Sequence, residues 1–413
     1  MAAGLTAGLP LPAFARGAAG QVVVVGGGFG GATCARAVKR LEPGLTVTLV
    51  EADPAATYTA CPFSNEVIAG ARGLGEQQFR YDKLAADDIA VCFLPALAVD
   101  PQHQVVTVAD GRKFPYDRLV LAPGIDFRGG DLPGYSEAAA TLMPHAWKAG
   151  PQTLLLRRQL QAMPEGGTVV ITAPENPYRC PPGPYERASL IAHFLKTNKP
   201  RAKLLLLDAK DTFSKQKLFQ NAWAALYPGL IEWVSLSQGG KVTAVDAQAM
   251  TLATDFATHK ADVANVIPSQ KAGGIAAIAG VADKTGWCPI DPVTFASTLQ
   301  PNIHVIGDAA VAGAMPKSAF AANAQAKVCA AAIVASLAGD PAPTAKLINT
   351  CYSLVAPDYG ISVAGVYHAA DGKLLDVEGA GGTSPIDAPP ERRAAEAAEA
   401  KAWFRAITAE VFG

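Results

Sequence analysis

The run QVVVVGGGFGGATCARAVKRLEPGLTVTLVEAD, residues 21–53, constrains the fold of this chain more than any other. An apolar stretch, Val22 to Val25, turns through glycines into a helix-period segment from Ala32 to Leu41; a second apolar stretch, Val47 to Val50, ends on Glu51. Strand, glycine turn, helix and strand in that order predict a right-handed βαβ crossover with parallel strands. Gly26, Gly28 and Gly31 fit G-x-G-x-x-G. The first permits the tight turn, the second lets backbone approach a pyrophosphate, and the third allows the helix to pack closely on the strand, with the helix N-terminus facing the phosphate. Glu51, 20 positions after Gly31, is placed to accept hydrogen bonds from a ribose hydroxyl. The pattern predicts a dinucleotide site, and an acid at that strand end suits FAD or NAD better than NADP.

Two later segments favour FAD. YDRLVLAPG (116–124) reads as a buried strand ending in a small-residue turn at Gly124, and NIHVIGDAA (302–310) as a strand ending in Gly307-Asp308. Taken in order, the three segments resemble the FAD-contacting segments of glutathione-reductase-like flavoproteins. That resemblance implies that Asp308 bonds the ribityl or pyrophosphate region, with the next helix aiming its positive end at the flavin. A second strand-turn-helix, GGTVVITAPENPYRCPPGPYERASLIAHFLK (166–196), lacks the glycine loop. Its turn carries Pro174, Pro177, Cys180, Pro181, Pro182 and Pro184 instead. Proline removes N–H donors and fixes φ, so this turn is expected not to cradle a pyrophosphate, which argues against NAD(P)H as electron source.

At 413 residues, half of them hydrophobic, the chain is too long for one ordinary core. The 35 basic and 36 acidic residues nearly cancel and form no block, so nothing points to nucleic acid. No stretch after residue 20 reads as a transmembrane segment, and no C-x-x-C or C-x-x-C-H occurs, so a zinc knuckle or a haem on this chain is not expected. No metal site is expected. Residues 1–20 are small and apolar, with Ala13-Phe14-Ala15 reading as a cleavage site. They are taken as an export-signal remnant, which implies a periplasmic protein in an oxidising compartment.

CPFSNEVIAG (61–70), YRCPPGPYERAS (178–189), GWCPID (286–291), MPKSAFAANAQAKV (315–328) and NTCYSLVAPDYGISVAG (349–365) resemble the flavoprotein subunits of flavocytochrome c sulfide dehydrogenases, relatives of the sulfide:quinone oxidoreductases. The resemblance implies that Cys61 carries FAD covalently as an 8α-S-cysteinyl thioether. It also implies that Cys180 and Cys351 form a redox-active disulfide beside the flavin; sulfide would add to Cys180, with Cys351 facing the flavin. Both cysteines are read in irregular stretches. Sulfide would leave as persulfide or polysulfide sulfur, and electrons would pass to a c-type cytochrome partner bearing the haem. Glu186, six positions after Cys180, is a candidate base or a helix-terminal acid; Lys317, read at the start of the helix after Gly307-Asp308, is a candidate cation beside the flavin. Cys34, Cys92 and Cys329 read as core residues, and Cys288 as structural.

The expected class is α/β: two Rossmann-like dinucleotide-binding domains of glutathione-reductase type plus a small C-terminal α+β domain. Residues 21–127 and 271–340 are assigned to a split FAD-binding domain, 128–270 to the second, and 341–413 to the C-terminal domain. The Ala/Glu-rich end carries Trp403 and Phe404 but many acids, unlike basic interfacial helices, which favours a cytochrome over a membrane quinone as acceptor. The competing functions are a peripheral sulfide:quinone oxidoreductase and an accessory flavoprotein that reactivates a sulfur-oxidising partner.

Overall fold

The computed structural model describes residues 20–413, so the expected export-signal remnant lies outside the described residues except for Gly20. The first parallel sheet takes its strands in the spatial order Ile303–Val305, Arg118–Leu121, Gln21–Val25, Thr46–Val50 and Ala90–Cys92. Val22, Val24, Leu49, Leu119, Val120, Leu121 and Val305 are fully buried, as the unalternating apolar runs of a parallel sheet covered on both faces require. The helix Phe29–Leu41 packs along Ala319–Ala338 on this sheet.

The second parallel sheet is ordered Ile231–Val234, Lys203–Asp208, Thr168–Ala173 and Val263–Asn265. The chain enters this unit through Ile125–Phe127 and leaves it through Gln270–Ala272, and these two strands pair antiparallel, Ile125 opposite Ala272 and Phe127 opposite Gln270. A third, antiparallel sheet of Leu347–Ala356, Tyr359–Ala370 and Lys373–Asp376 follows, covered by the helix Pro390–Val411. Gly360 makes that contact possible, because a Cβ there would lie 2.4 Å from the backbone nitrogen of Ala397. The architecture is thus α/β with two Rossmann-like units and a small C-terminal layer.

Ala319–Ala338 is 20 residues long and apolar enough by length and composition to cross a membrane, yet it is a half-buried helix of the first unit. Its Asn323 donates to Thr33 Oγ1 at 2.9 Å and its Gln325 accepts from Gly307 N at 2.8 Å. Small residues let it pack tightly against Phe29–Leu41, and these polar side chains tie it into the protein interior. Cys351, read as lying in an irregular stretch, sits within the ten-residue strand Leu347–Ala356. The β-branched and apolar residues around it outweigh the polar Asn349 and Thr350.

The last helix turns its aromatic residues inward. Phe404 packs at 4.9 Å on Phe63, and beyond the helix Phe412 stacks on Tyr58 and Phe79, each at 5.3 Å between ring centres. Phe29 and Tyr81 meet Phe412 edge-on, so one ring from the C-terminal layer closes an aromatic cluster behind the glycine turn. Phe412→Ala is expected to remove about 3 kcal/mol of stability. Differential scanning calorimetry should show a lower Tm, and an unchanged Tm would mean that the cluster is not stabilising.

Candidate functional site

A cavity of about 780 Å³ opens where the C-terminal ends of the first sheet face the second unit and the C-terminal layer. Its size lies within the roughly 300–1,000 Å³ common for organic ligands and cofactors. Gly26, Gly28, Glu51, Cys61, Gly124, Cys180, Glu186, Gly307, Asp308 and Cys351 all line it. Gly31 lies behind the wall, where a Cβ would come 1.8 Å from the Gly26 carbonyl oxygen; its contribution is helix-to-turn packing. Gly26 itself has φ +99° and no room for a Cβ, which would approach Ala122 O to 2.3 Å. The helix starting at Phe29 has no side-chain cap, and Gly28, Phe29 and Gly30 face the cavity, so its N–H groups are available to an anion.

Glu51 is at the expected strand end. Its carboxylate already accepts from Gly27 N at 2.6 Å, Tyr81 Oη at 3.2 Å and Asp53 N at 3.1 Å, so it shapes the turn as well as facing the cavity. Asp308 faces Arg179 at 3.9 Å, and burial raises its carboxyl pKa against the pull of Arg179 and Lys317. Lys317 corrects the sequence reading. It precedes the helix, which is capped by Ser318, and its ammonium does not line the cavity. Instead Nζ donates to Asp308 O and Ala310 O, both at 2.7 Å, and lies 4.0 Å above the Trp287 ring. Burial lowers its pKa to about 8. The residue braces the Gly307-Asp308 turn from outside.

The three half-buried cysteines arrive from three segments: Cys61 from the loop before helix Ser64–Ala69, Cys180 from the proline-rich turn, and Cys351 from the C-terminal sheet. None is bonded to another cysteine in the structure. Cys180 has φ +57°, and its amide donates to Lys317 O at 2.9 Å. Gly183 gives it room, since a Cβ there would stand 3.1 Å from Cys180 Sγ and 2.7 Å from the Trp147 ring. Burial, with Cys61, Glu186 and Cys351 nearby, pushes the Cys180 thiol well up, and only Arg179 opposes this. Cys351 Sγ instead accepts a hydrogen bond from Asn349 Nδ2 at 3.3 Å. Cys34, Cys92, Cys288 and Cys329 are buried and off the cavity; burial pushes Cys288 up to about 12.

Glu186 lies in the first turn of helix Gly183–Asn198. Oε2 accepts from Asn65 Nδ2 and Oε1 from Leu354 N, both at 2.8 Å. Burial raises its pKa while those two donors oppose the rise. Sequence reasoning missed its neighbour Arg187, which is 2% exposed. The guanidinium donates to Asn65 Oδ1, His145 O and Asn265 Oδ1 at 2.9 Å each and to Ala146 O at 2.6 Å. Burial lowers its pKa to about 10 and lowers that of His145 to about 3. Arg179, also missed, bonds the Trp147 carbonyl, and the only signal for either arginine was its adjacency to Cys180 and Glu186 in the quoted motif.

The wall fits a flavin dinucleotide. Besides the uncapped helix start, Arg179 Nε and Trp147 Nε1 are buried donors without a partner among the described residues, on side chains that line the cavity. Such donors suit an acceptor-rich cofactor. The corresponding place in the second unit is filled from within. Asp208, at the end of Lys203–Asp208, is fully buried and accepts from Tyr185 Oη at 2.6 Å, Lys210 Nζ at 2.7 Å and Trp233 Nε1 at 3.0 Å. Phe213 stacks on Tyr185 at 3.6 Å. Lys210 also bonds Pro174 O at 2.6 Å, closing the turn where a pyrophosphate would enter.

Three family models match in succession: pyridine nucleotide-disulphide oxidoreductase over residues 20–154, the central part of the sulfide dehydrogenase [flavocytochrome c] flavoprotein chain over 153–268, and the flavin-binding part of flavocytochrome c sulphide dehydrogenase over 343–412. The chain is 55% identical over 47 residues to the sulfide dehydrogenase [flavocytochrome c] flavoprotein chain of Chlorobaculum thiosulfatiphilum, covering 11% of this chain and 94% of that sequence. It is 25% identical over 310 residues to the mitochondrial sulfide:quinone oxidoreductase of Mus musculus, covering 70% of this chain and 65% of the mouse protein's length. The sulfide:quinone oxidoreductase structure from Aquifex aeolicus superposes with a TM-score of 0.75 at 20% identity, over 95% of this chain and 92% of that one, and shares its fold. With a flavin-binding C-terminal module set against a glycine-turn nucleotide unit, the chain belongs to the flavoprotein family of the flavocytochrome c sulfide dehydrogenases and sulfide:quinone oxidoreductases.

Proposed function

We propose that this protein is the flavin subunit of a periplasmic flavocytochrome c sulfide dehydrogenase, oxidising hydrogen sulfide and passing electrons to a c-type cytochrome. The observation that carries the reading is the convergence of Cys61, Cys180 and Cys351 on one cavity walled by the nucleotide turn. Gly26, Gly28, Glu51, Gly124, Gly307 and Asp308 would hold FAD, with Cys61 as its covalent attachment. Bound there, FAD supplies a two-electron acceptor able to return electrons singly to a haem on the partner.

The protein's own part in the reaction begins with a Cys180–Cys351 disulfide. Hydrosulfide attacks the Cys180 sulfur, the Cys180–Cys351 bond breaks, and the electron pair leaves on Cys351 while the proton stays on the outer sulfur of the Cys180 persulfide. The thiol with the lower pKa leaves faster. Burial makes Cys180 the poorer leaving group, whereas Asn349 donates a hydrogen bond to Cys351 Sγ. Glu186, its pKa raised by burial and its charge close to Cys180, is the proposed acceptor of the persulfide proton. Arg179 and Trp147 wall the chamber in which this happens.

A second reading, a sulfide:quinone oxidoreductase, draws on the mouse and Aquifex relatives. The C-terminal helix favours the cytochrome instead, since Phe404 is buried and Trp403 stacks on Phe320, leaving neither free to dip into a bilayer. Sulfide-dependent reduction of a soluble quinone analogue at the rate of cytochrome c reduction would favour the quinone enzyme.

Three outcomes are expected. Cys61→Ser should release FAD on acid precipitation, and flavin that stays with the variant protein refutes the attachment. Cys180→Ser and Cys351→Ser should each slow sulfide-dependent flavin bleaching by at least roughly a hundredfold in anaerobic stopped-flow, with flavin still attached. Rates near wild type would reduce the pair to a structural staple. NADH should bleach the flavin no faster than buffer, because Asp208 and the Pro174 turn are already engaged; rapid bleaching would show that the second unit opens.

A further inference from the structure

Lys215 is a buried cation that the proposed chemistry does not use. It precedes the helix Gln216–Leu226 in the left-handed region, φ +63° and ψ +25°, where a non-glycine residue is uncommon. That backbone turn sends the side chain out of the second unit and into the C-terminal sheet. Nζ donates to Cys351 O at 2.9 Å and Ser353 Oγ at 2.8 Å, with Ile361 O at 3.5 Å. Three acceptors match the three protons of an ammonium, so its position is fixed. Two of them, the Cys351 carbonyl and the Ser353 hydroxyl, belong to the strand that carries the cavity-facing sulfur. The residue is 7% exposed, so water screens its charge little.

We infer that Lys215 is a positioning residue that holds a positive charge beside Cys351 and so stabilises that sulfur as a thiolate when its disulfide opens. The inference rests on the sulfide-oxidising reading for what opens the bond, and on the hydrogen bonds alone for the coupling between Lys215 and Cys351. A desolvated ammonium attracts a nearby thiolate far more strongly than one in water. The groups around Lys215 from the packed elements are Cys351 on its strand, Glu186 on helix Gly183–Asn198, Cys180 in the proline turn and Glu396 on the C-terminal helix. All four favour the charged lysine, and burial outweighs them, lowering its pKa to about 8. Lys215 is therefore an ammonium below that pH and loses its charge above it. As pH rises through about 8 the lysine's support for the thiolate is withdrawn.

The test is the rate at which iodoacetamide alkylates Cys351 in dithiothreitol-reduced holoprotein, followed by peptide mass spectrometry from pH 6 to about 10, with Cys180 as internal reference. Lys215→Met should slow alkylation of Cys351 at pH 7 by about tenfold or more relative to Cys180. Lys215→Arg, always charged, should keep the pH 7 rate within about threefold of wild type. Wild-type rates and profile at Cys351 in a folded Met variant overturn the inference. If the Met variant does not fold, Lys215→Gln, which keeps donors to the strand without the charge, decides: a pH 7 rate slowed about tenfold supports the inference and a wild-type rate overturns it. Because dithiothreitol generates the thiols, failure of sulfide to reduce the wild-type pair would sink the sulfide-oxidising reading and leave this measurement standing.

Discussion

Everything around the cavity depends on one helical turn, Gly183 to Arg187. Arg187 reaches Asn65 in the first unit and Asn265 in the second, and Glu186 bonds Asn65 and Leu354, the latter in the C-terminal layer. A guanidinium taken fully out of water is costly unless every direction of its fork finds an acceptor, and here side-chain amides and the carbonyls of His145 and Ala146 supply them. Those acceptors are neutral, so the Arg187 charge is held without a carboxylate bonded to it. This turn ties the first unit, the second unit and the C-terminal layer together beside the chamber that the cysteines share.

The nucleotide turn was legible because its requirements are local. Gly26, Gly28 and Gly31 answer to backbone approach within a dozen residues, and Glu51 to the end of the next strand. The cysteines were legible only through the motifs that resemblance supplied, since Cys61 and Cys351 are separated by most of the chain. Arg187 was not legible: its partner Asn65 lies 122 positions away, and no periodicity marks such a pair. Lys317 shows a different limit. Sequence read it as a helix-start cation beside the flavin and could not say on which side of the turn its long side chain would lie; the Trp287 ring and two carbonyls hold it away from the cavity.

The second unit keeps a dinucleotide fold while its chemistry has been turned to other ends. Asp208 stands where such a fold places an acid, but Tyr185, Lys210 and Trp233 take up its oxygens, and Phe213 fills the adjacent space with a stacked ring. The proline turn gives up the backbone donors and in exchange holds Cys180 in a left-handed conformation that Gly183 leaves room for. A loop of proline is stiff, and stiffness holds the Cys180 sulfur in one orientation.

The pairing of Ile125–Phe127 with Gln270–Ala272 reaches beyond the site. Entry and exit of the central unit run side by side as a two-stranded ribbon, so about 140 residues are joined to the remainder of the chain through one stalk, with Glu186, Arg187 and Lys215 adding side-chain ties beside it. Such a connection makes the unit a replaceable cartridge: a shuffled gene could exchange its contents while leaving the strand order of the flanking sheet untouched. It also restricts how the cartridge can move, because a paired ribbon bends across its face more readily than it shears along its hydrogen bonds. A rocking about Phe127 and Gln270 would have to break the Arg187–Asn65 and Lys215–Ser353 bonds on the far side of the ribbon.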